Sequence, residues 1–213
     1  MYLLRSNEEI NPVYCVHDFL SDKEIEKIIE YTQCLTPQSG KVGGISKNKK
    51  NNFIDYNFDD AKVGTIANLR KCIVKWIKLD ANTNWLYKKV ISQIHDANQK
   101  NFCYILKYIE DIQFTEYNDC QKGFHSEHYD CGDKKDLNNF VDVRKLSFSI
   151  QLSSPDDYEG GELILYKNDK EIIAPKEKGT IIFFESDISH KVNEVKKGTR
   201  YSLVGWVKGP NLR

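Results

Sequence analysis

The chain has 213 residues, of which 40% are hydrophobic and 29% are charged, and its 31 Lys and Arg balance its 31 Asp and Glu. This length and composition are typical of one globular domain and exclude disordered, collagen-like and coiled-coil proteins. The balanced charge provides no overall field that would attract a polyanion, so we do not expect a nucleic-acid partner.

The apolar runs and the cysteines indicate the cellular setting. Residues 102–106 form the longest apolar run, far below the ~20 residues that cross a bilayer. The first residues lack the basic region and long apolar stretch of a signal peptide. None of the six cysteines forms a CxxC pair, which favours reduced thiols. We therefore expect a cytoplasmic protein with no membrane partner.

The first half of the chain predicts a strand and two helices. Residues 13–20 predict a short strand, and residues 21–24 have the spacing of a capping box that begins a helix. A second helix is predicted over residues 84–97, where apolar side chains recur at helical spacing. Between these helices, residues 36–52 are polar and contain three glycines, which predicts a loop.

The second half of the chain predicts successive strands, because β-branched and aromatic residues cluster between turn residues. The predicted strands are residues 111–117, 146–152, 162–166, 180–184 and 200–207. In the second of these, apolar residues alternate with Ser147, Ser149 and Gln151, as in a strand with one polar face. We therefore predict one α+β domain over residues 1–213, with mainly helical support in 1–100 and a β sandwich or barrel in 101–208.

Three residues from two stretches form a candidate metal site. His128 and Asp130 are two positions apart, so on a strand both project from the same face. His190 follows 60 residues later, directly after an apolar strand. Two imidazoles and a carboxylate make a facial triad, which leaves three positions on Fe(II) open for a chelating cosubstrate and dioxygen.

Alternative ligand pairs overlap this motif. His125 and Glu127 form an HxE pair, and His125 with His128 is another candidate pair. We favour Asp130 because Glu127 would face away from His128 on a strand.

A candidate anion site follows ten residues after His190. On the predicted strand, Arg200, Ser202 and Trp206 share one face. Arg200 offers a two-pronged donor for a carboxylate, Ser202 adds a hydroxyl and Trp206 adds a flat wall. A buried arginine in an apolar strand needs an anionic partner.

Taken in order along the chain, these motifs match a known family. They are Tyr117, Gly123-Phe124, His128-x-Asp130, the run from Arg144 to Leu152, the run from Tyr158 to Leu163, the run from Gly179 to Phe184, His190, and Arg200-x-Ser202 with Trp206. Residues 100–208 thus resemble the Fe(II)/2-oxoglutarate-dependent dioxygenases, and among them the prolyl 4-hydroxylase-like branch.

The resemblance implies a fold and a set of site residues. It implies a double-stranded β-helix, or jelly-roll, core with supporting amino-terminal helices. It implies that His128, Asp130 and His190 bind Fe(II), and that no catalytic residue is needed beyond these ligands. Arg200 would bind the remote carboxylate of 2-oxoglutarate, with Ser202, Tyr117 and Trp206 beside the cosubstrate.

The implied activity is hydroxylation of a C–H bond, with 2-oxoglutarate and O2 consumed and succinate and CO2 released. The resemblance favours a peptidyl proline in a peptide or protein substrate, and it adds ascorbate as a candidate cofactor. Alternatives are hydroxylation of a free amino acid, another small molecule or a nucleic-acid base. The non-enzyme alternative is a cupin-like binding module, which would be expected to lack a metal ligand. Residues 36–52 and 131–142 are the predicted loops that close over the site.

Overall fold

A computed structural model describes residues 12–40, 69–131 and 142–211 of the chain. Within these ranges the chain forms two α-helices, α1 (Asp22–Gln33) and α2 (Asn84–Ala97), the second of which continues into a π-helical turn. The strands of the described ranges are β1 (Val13–Val16), β2 (Gln38–Ser39), β3 (Arg70–Lys71), β4 (Ile73–Ile77), β5 (Tyr108–Ile109), β6 (Ile112–Asn118), β7 (Phe124–His128), β8 (Val143–Gln151), β9 (Tyr158–Gly160), β10 (Leu163–Lys167), β11 (Lys170–Ile173), β12 (Ile181–Glu185), β13 (Ser189–Val192) and β14 (Val195–Gly209).

The strands form two antiparallel sheets. The larger sheet has the order β1-β12-β8-β14-β6-β4-β2, and β5 and β9 also pair with β14. The smaller sheet has the order β11-β10-β13-β7-β3. Side chains from both sheets line one cavity between them. This is the double-stranded β-helix that the family resemblance implied, and the fold prediction is confirmed.

The alternation along β8 explains how one strand serves both the core and the cavity. Phe148 and Ile150 are fully buried and belong to the apolar cluster that contains the buried apolar residues of α1 and α2. Ser149, on the opposite face, lines the cavity between the sheets. The apolar face of the larger sheet therefore packs against the helices, and its polar face is available to a site.

The two predicted helices are confirmed, and the predicted capping box begins the first one. The backbone N–H of Ser21 donates to the Glu24 carboxylate at 2.8 Å, which satisfies a donor that the first helical turn leaves free. Glu24 also pairs with Lys89 of α2, with N–O distances of 2.7 and 2.8 Å. The same side chain thus begins α1 and ties it to α2.

The amino-terminal part of the chain contributes more strands than the sequence predicted. The prediction of a loop over residues 36–52 is wrong at Gln38 and Ser39, which form β2 and pair with Val74 and Ile73 of β4. This two-residue strand has no apolar alternation of its own, because its pairing depends on the edge that β4 offers. Residues 41–52 of that predicted loop, and 132–141 of the second one, lie outside the described residues.

In the described part of the chain, no helix combines the length and the apolar character that a membrane crossing requires.

Candidate functional site

The structure brings the three predicted metal ligands together. His128 ends β7, Asp130 follows two residues later, and His190 lies on β13 directly opposite His128. Asp130 lies 3.7 Å from Nε2 of His128 and 3.5 Å from Nε2 of His190. One ligand atom from each of the three residues lies within 4.8 Å of the others. The antiparallel pairing of β7 with β13 therefore places two imidazoles and a carboxylate around one point.

Both histidines present the same ring nitrogen to that point. Nδ1 of His128 lies 2.8 Å from the carbonyl oxygen of Ser126, and Nδ1 of His190 lies 3.0 Å from that of Ile188. Since a carbonyl oxygen only accepts, Nδ1 of each ring carries the hydrogen and Nε2 has a free lone pair. Burial also lowers the pKa of His128 to about 4. The two backbone carbonyls thus orient both rings so that Nε2 is the atom that would bind a metal.

The carboxylate of Asp130 is held by hydrogen bonds from a neighbouring strand and a turn. Its Oδ2 accepts a hydrogen bond from Oγ of Ser147 at 2.8 Å, and that hydroxyl lies 2.9 Å from Oγ of Ser186. The backbone N–H of Asp130 donates to the carbonyl oxygen of Ser186 at 3.0 Å. Burial raises the pKa of Asp130, but His190, His128 and Ser147 outweigh that effect and hold this pKa below its ordinary value. The group is therefore ionised and oriented for a cation.

The donor set fits an Fe(II) ion with room for further ligands. Among the described residues, no other His, Cys, Asp or Glu joins the cluster of three. His128, Asp130 and His190 would hold such an ion, and a set of two imidazoles and one carboxylate is typical of iron sites that bind exogenous ligands as well.

The alternative ligand pairs are not brought together in this way. Glu127 is exposed and accepts a hydrogen bond from Oγ of Ser189 at 2.5 Å, so it faces away from the cluster. His125 is buried and stacks on His128 with ring centroids 3.7 Å apart, because an irregularity in the β7–β13 pairing turns both rings to one face. The geometry favours the HxD pair that the sequence analysis preferred.

Arg200 is a buried cation without a carboxylate partner in the described residues. Only 1% of its surface is exposed. Its Nη2 donates to Oε1 of Gln151 at 2.9 Å and its Nη1 to Oγ of Ser202 at 3.3 Å, whereas its Nε has no hydrogen-bond partner in the described ranges. A buried guanidinium with only neutral partners is costly. An anion with a carboxylate end fits this position.

Glycines at the β9–β10 turn support the stem of Arg200. Gly161 has φ +64°, and a Cβ there would lie 3.2 Å from Cδ of Arg200 and 3.0 Å from Cγ2 of Val195. Gly161 thus leaves space for the arginine stem, whereas a Cβ at Gly160 would meet the backbone of Glu194.

Tyr117 lies on the cavity wall between two guanidinium groups. Its ring centroid is 5.6 Å from Cζ of Arg200, and its hydroxyl interacts with Arg70. Burial raises the pKa of Tyr117 to about 12, against the opposing effect of Arg70, so the phenol is neutral near pH 7. Arg70 of β3 also donates to Oε1 of Gln113 at 2.7 Å and to Sγ of Cys72 at 2.9 Å. Arg70 therefore links the smaller sheet to β6 of the larger one.

Trp206 forms a wall of the same cavity, as its position on the strand predicted. The guanidinium of Arg144 stacks on the Trp206 ring at 3.9 Å, and Arg144 binds both oxygens of Glu110 at 2.9 and 2.6 Å. Trp76 lies beside it, with ring centroids 6.3 Å apart. Tyr129 also lines the cavity and is 55% exposed, so this aromatic end opens to solvent.

The cavity has a volume of about 360 Å³ and joins all of these groups. The three metal ligands, Arg200, Ser202, Tyr117 and Trp206 all contribute to its lining, so every site residue predicted from the sequence lies at one place. Sequence reasoning missed Arg70, Trp76 and Gln113 in the same lining. Arg70 and Gln113 have no local motif, and Trp76 lies on β4, a strand that the sequence analysis did not predict.

Comparison with known proteins agrees with this geometry. Residues 112–208 match the sequence model of the 2OG-Fe(II) oxygenase superfamily. Over 125 residues the chain is 33% identical to a PKHD-type hydroxylase of Crocosphaera subtropica, and the match covers 56% of this chain and 54% of that protein. The chain thus spans about half the length of this curated relative.

Solved structures show the same fold at low sequence identity. A viral collagen prolyl hydroxylase from Paramecium Bursaria Chlorella virus-1 has a TM-score of 0.64 and 20% identity, with 93% of this chain and 97% of that chain covered. A prolyl hydroxylase from Trichoplax adhaerens, solved with a hypoxia inducible factor peptide fragment, has a TM-score of 0.66 and 18% identity, covering 92% and 83%. At these identities the likeness concerns the fold.

Proposed function

We propose that this chain is a member of the 2OG-Fe(II) oxygenase superfamily, whose sequence model matches residues 112–208. On that basis it is an Fe(II)- and 2-oxoglutarate-dependent dioxygenase that hydroxylates a C–H bond and releases succinate and CO2. One observation carries the proposal. The triad of His128, Asp130 and His190 lines the same cavity as Arg200, a buried cation that has no carboxylate partner among the described residues.

The protein's own residues would bind the metal and the cosubstrate, orient them and exclude water. His128, Asp130 and His190 would hold Fe(II), and the bound ion would supply the oxidative chemistry that couples decarboxylation of 2-oxoglutarate to hydroxylation. Arg200 binds the remote carboxylate of 2-oxoglutarate in a charge-assisted pair, and Ser202 holds the guanidinium from one side. Tyr117 closes the wall as a neutral phenol, which excludes water without adding a charge.

The first test is the reaction itself. Protein with Fe(II), 2-oxoglutarate and O2 is expected to form succinate in step with oxygen uptake. Substitution His128→Ala or Asp130→Ala should abolish succinate formation because the metal loses a ligand. His95→Ala, which removes an exposed histidine of α2, is the matched control and should leave turnover unchanged. Equal turnover in the ligand variants would contradict the proposal.

We further propose that the substrate is a proline within a peptide. The named relatives support this, since they are a PKHD-type hydroxylase and two prolyl hydroxylases, one of them solved with a peptide fragment. The open end of the cavity, with Trp76, Tyr129 and Trp206, offers aromatic surface suited to the flat, apolar ring of proline.

A library of proline-containing peptides, free amino acids and single-stranded oligonucleotides tests the substrate class. We expect a mass gain of one oxygen on a peptide, located on proline by fragmentation. A gain on a free amino acid or a base alone would contradict the peptide substrate and leave the dioxygenase proposal intact.

Repeating the assay without ascorbate tests its proposed role as an accessory reductant, which predicts a progressive loss of turnover in its absence.

A further inference from the structure

Gln151 accepts a hydrogen bond from Arg200 on the side away from the cavity. It ends β8 and is 2% exposed, and its Oε1 accepts the hydrogen bond from Nη2 of Arg200 at 2.9 Å. Among the described residues, Arg200 belongs to the cavity lining and Gln151 does not. Gln151 therefore acts on the cavity through the guanidinium alone.

A backbone carbonyl fixes which end of the Gln151 amide faces the arginine. Nε2 of Gln151 donates to the carbonyl oxygen of Pro175 at 3.0 Å. A side-chain amide has one donor end and one acceptor end, and a carbonyl oxygen accepts only. The contact with Pro175 thus turns the amide oxygen toward Arg200.

The neutral charge of Gln151 matters as much as its position. A carboxylate there would form an ion pair with Arg200 and neutralise it. The amide oxygen accepts one N–H and leaves the positive charge available. Because Ser202 engages Nη1 from the neighbouring side, the two neutral acceptors fix the plane of the guanidinium and leave its Nε–H unpaired in the described ranges.

We propose that Gln151 is a positioning residue that orients Arg200 toward the remote carboxylate of 2-oxoglutarate without neutralising it. This rests on the proposed function. Two consecutive hydrogen bonds connect Pro175, in the loop before β12, through Gln151 to Arg200 at the cavity. They affect the binding of the remote carboxylate of the cosubstrate and leave the binding of its metal-chelating end unaffected.

The test compares two keto acids that differ at the far end. Calorimetric titration of the Fe(II)-loaded protein without oxygen measures the affinity for 2-oxoglutarate and for 2-oxobutyrate, which lacks the second carboxylate. We expect Gln151→Leu to weaken 2-oxoglutarate binding by about 10-fold, since a buried charged donor loses its partner, and to change 2-oxobutyrate binding by less than twofold. Gln151→Glu, which is nearly isosteric, should weaken 2-oxoglutarate at least as much, because its carboxylate competes for Arg200.

A second arm asks whether the effect passes through the arginine. In an Arg200→Met background, Gln151→Leu should cause no further loss of 2-oxoglutarate affinity. Ser153→Ala is the matched control: Oγ of Ser153 bonds only to backbone groups of Thr199 and Tyr201 among the described residues. It removes a buried hydrogen bond beside the same strand, and the affinity for 2-oxoglutarate should stay within twofold. Thermal unfolding of each variant checks that the fold is retained.

Three results would overturn this role of Gln151. They are unchanged 2-oxoglutarate affinity in both Gln151 variants, an equal loss for the two keto acids, and the same loss with or without Arg200. Failure of the proposed function looks different, because then the parent protein, loaded with metal, does not bind 2-oxoglutarate at all.

Discussion

At the scale of single residues, the candidate metal site depends on groups that fix the ligands as much as on the ligands. The carbonyl oxygens of Ser126 and Ile188 select one ring tautomer for His128 and His190. Ser147 orients the carboxylate of Asp130 by donating a hydrogen bond to it. Ordinary strand geometry supplies these partners, since each carbonyl lies two residues before its histidine.

Removal of the Ser147 hydroxyl tests this support. We expect Ser147→Ala to weaken Fe(II) binding by about 10-fold, because outer hydrogen bonds to metal ligands typically contribute that much. Anaerobic equilibrium titration with Fe(II) measures the effect, and Ser153→Ala serves as the control. An unchanged metal affinity would show that Asp130 is positioned by its backbone alone.

The sequence was sufficient to predict which residues the structure brings together at the candidate site, and insufficient to predict the residues that hold them in place. Motif spacing along the chain identifies His128, Asp130, His190 and Arg200, and that spacing can be recognised without knowing how the elements pack. Gln151 carries no such signal, because its role depends on which loop passes beside the end of β8, and that is decided by tertiary structure.

At the scale of secondary structure elements, β14 organises the site. This strand pairs with β6 and β8 along its length and with β5 and β9 at its two ends. The sequence predicted residues 200–207 as a strand, and the structure extends it to Val195–Gly209. Its ends carry Lys and Gly in place of apolar alternation, so only the pairing with neighbouring strands reveals them. In contrast, β4 was missed because the chain there was expected to be helical support.

The link between α1 and α2 makes a prediction about pH. Burial raises the pKa of Glu24, but hydrogen bonds from Lys89 and Ser21 lower it by more, so the pKa lies below its ordinary value. A lowered pKa in the folded state stabilises the protein above the ordinary carboxyl pKa, and this stabilisation is lost as the pH falls through the folded value. We expect Glu24→Gln to reduce the free energy of unfolding by about 0.5–1 kcal/mol at pH 7, with a smaller difference below about pH 4.

Urea unfolding of parent and variant at several pH values measures this difference. Glu26→Gln, at an exposed position of the same helix, is the control and should have little effect at any pH. A Glu24→Gln effect that does not depend on pH would contradict an ionic origin.

At the scale of the whole molecule, the two sheets contribute different halves of the site. The smaller sheet supplies His128 and His190, and the larger one supplies Arg200. A 2-oxoglutarate molecule that chelates the metal and reaches Arg200 therefore spans both sheets. Such a ligand would add a further polar link between layers that the Arg70–Gln113 hydrogen bond already joins.

Ligand binding should consequently stabilise the fold in two separable steps. Fe(II) is expected to raise the unfolding temperature, and 2-oxoglutarate should raise it again. Each ligand should increase the free energy of unfolding by about 2.7 kcal/mol when its free concentration is 100 times its dissociation constant. In Arg200→Met the metal step should remain and the 2-oxoglutarate step should be lost. Differential scanning fluorimetry without oxygen measures both, and equal 2-oxoglutarate stabilisation of parent and variant would contradict the assignment of Arg200.

The most direct measurement is an X-ray structure of crystals grown without oxygen with Fe(II) and 2-oxoglutarate, with anomalous data collected at the iron edge. The account predicts one strong anomalous peak bounded by Nε2 of His128, the Asp130 carboxylate and Nε2 of His190. It also predicts density for the keto acid running from that peak to the guanidinium of Arg200. An iron peak elsewhere, or a keto acid whose far carboxylate lies away from Arg200, would contradict it.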